Sequence, residues 1–179
     1  SGTFTGAQLT GETIVLTGAS GATETLTVNV GLGETFVSGL TTGTDFNTIS
    51  YTGTTGDEVI TGGALAEKIT GGAGNDFLIG DGGNDTLDGG ADAVVDVLVG
   101  GAGDDTYIVD LTTAGALQDT ITEIALATNN DTVQLRGRST NTAAVTLTLA
   151  ANLENLDASA TDASLLNLTG NNANNRLTG

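Results

Sequence analysis

Residues 53–108 read GTTGDEVIT (53–61), GGALAEKIT (62–70), GGAGNDFLI (71–79), GDGGNDTLD (80–88), GGADAVVDVLV (89–99) and GGAGDDTYI (100–108). Cut this way, every segment has nine residues except 89–99, which has two more. The sixth position, allowing for that insertion, is Glu58, Glu67, Asp76, Asp85, Asp96 and Asp105. The eighth is Ile60, Ile69, Leu78, Leu87, Leu98 and Tyr107. An acid at one phase and a large apolar side chain two places on, six times running, is an internal repeat.

Nine residues divide into a Gly-rich turn of about six and a strand of about three, since Gly admits the left-handed backbone that tight turns need. The eighth side chain then points inward and the sixth sits on the turn. Two nonapeptides make one coil with a strand on each side, so residues 18 apart stack at the strand spacing of about 4.8 Å. Carboxylates at that spacing cannot all stay ionised without a counter-charge. Columns of carboxylates beside oriented backbone carbonyls make the ligand set of a hard cation that takes many oxygens, which is calcium.

Working outward, the flanks are strand-like. Leu26, Val28 and Val30 alternate with Thr25, Thr27 and Asn29 within Thr23–Val30, and Val145, Leu147 and Leu149 alternate with Thr146 and Thr148. That period of two, rich in Thr and Val, marks strands. No segment shows a period of 3.6, and Gly is too frequent for long helices. The expected class is all-β throughout.

Composition bounds the chemistry. The 179 residues include 33 Thr and 28 Gly, and 4 Lys+Arg stand against 22 Asp+Glu for a net charge of −18. Such a polyanion repels nucleic acid and anionic lipid, which both need basic clusters, and attracts cations. The absence of His and Cys removes Ser-His-Asp and Cys-His catalysis, thiol chemistry and ordinary zinc or haem sites. Zero Cys fits reducing and oxidising compartments equally. No apolar run approaches the roughly 18 residues of a membrane span, and no basic–apolar leader opens the sequence. Low aromatic content and high charge favour disorder, but 38% hydrophobic residues, a mean hydropathy of +0.11 and the patterning favour a fold that forms once its charge is neutralised.

Residues 71–88 and 100–108 resemble the GGxGxDxUx nonapeptide of the RTX (repeats-in-toxin) family. The resemblance implies a parallel β-roll, a β-solenoid with calcium bound between stacked turns, in proteins exported by bacterial type I secretion. It also implies how the ligands divide. The earlier turn gives carbonyls at positions two and four plus its acid; the turn one coil later gives carbonyls at positions one and three plus its acid. One site then takes Gly72, Gly74 and Asp76 with Gly89, Ala91 and Asp96. A second takes Asp81, Gly83 and Asp85 with Gly100, Ala102 and Asp105. Two weaker sites pair Glu58 with Asp76 and Glu67 with Asp85, with Gly71, Ala73, Gly80 and Gly82 supplying carbonyls. The total is about four calcium ions, which would take the net charge from −18 to about −10.

Departures from the pattern carry their own expectations. Leu65 and Glu67 stand where Gly and Asp are usual, so the 62–70 turn is expected to be empty or distorted. The insertion in 89–99 leaves Asp92 and Asp96 as alternative ligands; Asp96 is favoured because Leu98 then stays inward. The stretches TYIVD, DTITE, NDTVQL and ANLENL within 106–169 resemble the strand-rich segment that follows such repeats in large bacterial surface proteins. The closing GNNANNRLT (170–178) fits the frame with Asn replacing Gly and Asp, as if the array continued.

Three parts are expected: a strand-rich segment 1–52 of four or five strands, either a solenoid cap or a small β-sandwich; a β-roll over 53–108; and a solenoid-like continuation over 109–179. Asp110, Asp119, Glu123 and Asp131 recur near strand ends, where the alternatives are that they complete another site or, the favoured reading, that they are ordinary turn and surface acids. The asparagines of ANLENL and 171–175 read as stacked side-chain hydrogen bonds or turns, Tyr51 and Tyr107 as core, and Lys68, Arg136, Arg138 and Arg176 as too sparse for an anion pocket.

The function expected is a non-enzymatic, calcium-binding structural module of a secreted or cell-surface bacterial protein, such as an adhesin, a surface-layer protein or an exoenzyme tail. It would fold on meeting calcium outside the cell, as part of a larger extracellular assembly, with no nucleic-acid partner and no membrane insertion. The alternatives are an ice-binding solenoid and, behind it, a carboxylate-based carbohydrate-active enzyme. Position two, read for a Thr ladder, gives Thr54, Gly63, Gly72, Asp81, Gly90 and Gly101, which is none. Substrate-stacking aromatics are scarce.

Overall fold

The computed structural model describes residues 2–5, 25–31, 35–37, 48–112, 114–124, 129–137, 144–161 and 166–179. The described residues form strands, turns and bends with no helix. In chain order the strands are β1 (Gly2–Thr5), β2 (Thr25–Asn29), β3 (Thr35–Val37), β4 (Thr48–Thr52), β5 (Val59–Thr61), β6 (Glu67–Thr70), β7 (Phe77–Gly82) and β8 (Thr86–Asp88). They continue as β9 (Val97–Ala102), β10 (Thr106–Asp110), β11 (Thr120–Thr122), β12 (Thr132–Arg136), β13 (Val145–Thr148), β14 (Asn155–Asp157), β15 (Leu166–Thr169) and β16 (Arg176–Thr178).

β1 and all the even-numbered strands form one nine-stranded sheet. β3, β5, β7, β9 and β11 form a second, and β13 pairs with β15. Every pairing between these strands is parallel. Successive strands alternate between sheets, so the chain winds as a β-solenoid of about six turns, all-β as the composition and patterning require. Much of 1–52, where four or five strands were expected, lies outside the described residues, as does Arg138; β2 and β4 run in the same sheet as the repeats.

The eighth position builds the core. Register places Val28, Tyr51, Ile69, Leu87, Tyr107, Val133 and Leu156 in one column on successive strands of the large sheet. All are buried. Ile60, Leu78 and Leu98 stack likewise in the second sheet and are fully buried. Both tyrosines are therefore core residues. Leu26, Val28 and Val30 are buried while Asn29 is exposed, and Leu147 and Leu149 are buried between exposed Thr146 and Thr148.

Position two carries no Thr ladder, but the seventh position, on the outer face of the large sheet, has a partial one. Thr27, Ser50, Lys68, Thr86, Thr106 and Thr132 lie in register there. Lys68 interrupts it, and the neighbouring column of Thr52, Thr70, Asp88, Ile108 and Gln134 is not a Thr array.

Candidate metal centre

The sixth-position acids are buried and linked through backbone. On one side of the solenoid the Glu58 N–H donates to Asp76 Oδ1 (2.8 Å), Asp76 N–H to Asp96 Oδ1 (2.8 Å) and Asp96 N–H to Asp119 Oδ1 (3.1 Å). On the other, the Glu67 N–H donates to Asp85 Oδ1, Asp85 N–H to Asp105 Oδ1 and Asp105 N–H to Asp131 Oδ1, each at 2.8 Å. The Asp131 N–H continues to Glu154 Oε2 at 2.9 Å. Each acid thus steps one coil along the axis, fixed by an amide of the coil before.

Each aspartate of the ladder uses one oxygen, Oδ1, to accept an amide of the coil before. Asp76, Asp85, Asp105 and Asp131 each keep a buried Oδ2 without a hydrogen-bond partner, and Glu67 and Glu123 each keep a buried Oε1. A buried carboxylate oxygen with nothing to accept from costs several kcal/mol-scale solvation unless a proton or a cation meets it. Desolvation therefore dominates these acids. It pushes Asp85 up to about 8, against the Glu67 amide bond, and the charges of Glu67 and Asp105 push the same way. Asp76 rises to about 6, first by burial and further by Asp96 and Glu58. Asp96, Asp105 and Glu67 rise too, burial again first.

The turns bring carbonyls to the same place. Gly72 and Gly74 have φ of 123° and 118°, a region that side-chain-bearing residues avoid, and both press on the turn one coil earlier. A Cβ on Gly72 would lie 2.1 Å from the Thr54 carbonyl oxygen, and one on Gly74 2.2 Å from that of Gly56. Asp81 adopts the same left-handed region, φ 78°, at position two of its turn, without being Gly. At position one, the Gly71 Cα faces Asp76 Oδ2 and the carbonyl oxygen of Gly89, which a Cβ would meet at 2.2 and 2.7 Å. Gly80 similarly faces Asp85 Oδ2 and the Gly100 carbonyl, at 2.3 and 2.6 Å. Of the other expected carbonyl donors, those of Gly89 and Ala102 each accept one amide, from Gly72 (2.9 Å) and Gly83 (2.8 Å). A carbonyl has two lone pairs, so that leaves one on each.

In 89–99 it is Asp96 that occupies the ladder position. Asp96 is buried in the ladder and Leu98 in the core, while Asp92 stays on the turn, accepting from the Gly74 and Val94 amides. The two glutamates differ from the aspartates. With one more methylene, each bends back onto its own turn, Glu58 to the Thr54 N–H and hydroxyl (both 3.0 Å), Glu67 to the Gly63 N–H (3.2 Å). Around Leu65 neither position two nor position four is left-handed, unlike the 71–76, 80–85 and 100–105 turns.

Three acids expected on the surface are not there. Asp119 and Asp131 are buried and Glu123 is half-buried. Asp131 is the next acid beyond Asp105 in its ladder, and Asp119 the next beyond Asp96 in the other. The misreading came from counting at a constant interval. The ladder steps lengthen from 18 to 20, 23 and 26 residues as turns gain insertions. One insertion folds on itself between Leu111 and Leu117, closed by an antiparallel bridge. The signal available was the Asp-Thr pair shared by 85–86, 105–106, 119–120 and 131–132. Asp110 does stay near the surface, where it and Asp88 clamp Arg136 at 2.8 and 2.6 Å.

Toward the end of the chain the same position becomes Asn175, whose Oδ1 accepts the Asn171 N–H (2.7 Å) while its amide donates to the carbonyls of Leu153 (3.1 Å) and Glu154 (3.3 Å). An amide carries its own donor, so this turn needs no cation.

Residues 61–93 and 95–110 match the RTX calcium-binding nonapeptide repeat family, in four copies. No curated protein and no solved structure matches the chain. The segment 61–110 thus carries RTX calcium-binding repeats, and the donor set found there fits the ion: oxygen only, acidic, drawn from two turns, with buried oxygens left unpartnered.

Proposed function

We propose that the chain is a calcium-dependent structural module of a secreted or cell-surface bacterial protein, held extended in low calcium and folding when it meets millimolar calcium outside the cell. The observation that carries this reading is the ladder itself. Asp76 and Asp85 are each anchored through Oδ1 to an amide of the coil before, and keep an unpartnered Oδ2 beside the position-one carbonyl of the coil after.

Two sites would be held by Gly72, Gly74 and Asp76 with Gly89, Ala91 and Asp96, and by Asp81, Gly83 and Asp85 with Gly100, Ala102 and Asp105. The Glu58–Asp76 and Glu67–Asp85 pairs, with the Gly71, Ala73, Gly80 and Gly82 carbonyls, would form weaker ones because both glutamates are drawn onto their own turns. A bound calcium ion supplies the positive charge that the paired carboxylates need in order to stay ionised at coil spacing. The carboxylates then attract where they would otherwise repel, the turns close, and the eighth-position side chains stack. Binding free energy thereby becomes folding free energy.

Each site draws on an irregular cage of carbonyls and carboxylates from two turns, which suits six to eight ligands at about 2.3–2.6 Å and not the octahedron near 2.0–2.1 Å that magnesium requires. Calorimetric titration with each ion at fixed ionic strength tests this. Saturable binding of calcium, with magnesium at least about tenfold weaker, is the expected result; equal midpoints would reduce the effect to charge screening.

A further inference from the structure

Glu123 breaks the rule for position one. In the six repeats that position is Gly53, Gly62, Gly71, Gly80, Gly89 or Gly100, because a Cβ there would come within 2.2–2.8 Å of the sixth-position acid of the same repeat. Thr122 pairs with Val99, so Glu123 falls in register with Gly100. The stretch from Glu123 to Asp131 is three residues longer than that from Gly100 to Asp105. The carboxylate turns back into the space that Gly100 leaves open. A Cβ on Gly100 would meet Tyr107 Oη at 2.1 Å, Asp105 Oδ2 at 2.3 Å and Glu123 Oε1 at 2.5 Å.

Carboxylate oxygens of Asp105, Glu123 and Asp131 all lie within 4.8 Å of one another. Among the described residues, the ion pairs are those of Arg136 with Asp88 and Asp110, so no basic side chain is paired with this trio. A second feature points the same way. The Tyr107 hydroxyl is fully buried and has no hydrogen-bond partner, although it is aimed at the oxygens that converge beside Gly100. An ordinary core would leave a phenol neither orphaned nor beside the two carboxylates of Asp105 and Glu123.

We propose that Asp105, Glu123 and Asp131, with the Tyr107 hydroxyl beside them, form a calcium site of a different kind from those of the repeats, built on three carboxylates in place of two carboxylates and turn carbonyls. It rests on the calcium reading above. Higher ligand charge raises affinity, so this site fills before the repeat sites, by roughly tenfold in concentration. It ties the last nonapeptide coil to the first coil beyond the 61–110 match.

Tyrosine-sensitised terbium emission and calcium stoichiometry on the full chain test it, since the chain has two Tyr and no Trp. Emission should appear with the first equivalent of terbium, vanish in Tyr107→Phe and persist in Tyr51→Phe. Glu123→Gln, near-isosteric, should keep the calcium-bound fold, bind one calcium fewer and lose most of the emission, although Tyr107 is still present. Asp76→Asn should lose calcium at the repeats and keep the emission. The proposal is overturned if Glu123→Gln matches wild type in both readouts. It is equally overturned if wild type binds calcium but gives no tyrosine-sensitised emission, a result that needs no variant and leaves the repeat sites standing. A wild-type chain that binds no calcium would sink both readings.

Discussion

An aspartate at position six such as Asp85 uses one oxygen to hold the neighbouring coil and keeps the other buried and unpartnered, the oxygen that the proposed function gives to a cation. Asp85 illustrates the consequence. It lies between Glu67 and Asp105 in the ladder, so its loss unpins one coil and leaves charge unbalanced on both sides. Asp85→Ala should raise the calcium midpoint for folding by roughly tenfold or more. Asp157→Ala should not move it, because Asp157 sits on the outer face and accepts only from its neighbour Ser159. Circular dichroism across a calcium titration reads both; equal shifts would dismiss the ladder.

The same acids predict a pH dependence. Asp85 is pushed up to about 8 and Asp76 to about 6 in the folded, metal-free chain, above the ordinary carboxylate value near 4. Raised values mean that the metal-free fold gains stability from protonation, fully below about pH 4, and loses it as pH climbs through 6 to 8. In chelator the chain should therefore show more strand signal at pH 5 than at pH 8, where it is expanded. In millimolar calcium the order reverses, because protons and cation compete for the same oxygens. A far-UV circular dichroism signal independent of pH in chelator would contradict this.

At the scale of the element, the turn tolerates length and not shape. Val94 and Val95, the exposed insertion, lie outside both the ladder and the core. Deleting the pair should leave the calcium midpoint within about twofold, since loop closure depends weakly on length. Gly72→Ala forces a Cβ to within 2.1 Å of the Thr54 carbonyl from a left-handed backbone, and should cost about 1–3 kcal/mol or more in the calcium-bound form. Thermal melts of the two variants side by side check both. This contrast also explains what was legible in the sequence. The inward column through Leu87 and the acid phase through Asp85 follow from a fixed period, and Asp96 and Asp105 from the constant two-residue spacing between acid and inward side chain, Leu98 or Tyr107. Asp119, Asp131 and Glu123 did not, because turn insertions change the count while stacking preserves the phase. The Gly-to-Glu change at position one reads as noise until register sets Glu123 opposite Gly100.

At the scale of the molecule, a charge of −18 and a narrow apolar core set a threshold. Eighth-position side chains such as Leu87 are fully buried, and Leu87→Ala should remove about 2–5 kcal/mol. That contribution is available only once the acid ladders stop repelling. The measurement that tests this most directly is far-UV circular dichroism with small-angle scattering on the full chain, first in chelator and then through a calcium titration. The account predicts an expanded, strand-poor chain that compacts and gains strand signal in the roughly 10⁻⁴–10⁻³ M range, with no such transition in equimolar magnesium. A compact, strand-rich chain in chelator at pH 8, unchanged by calcium, would contradict it.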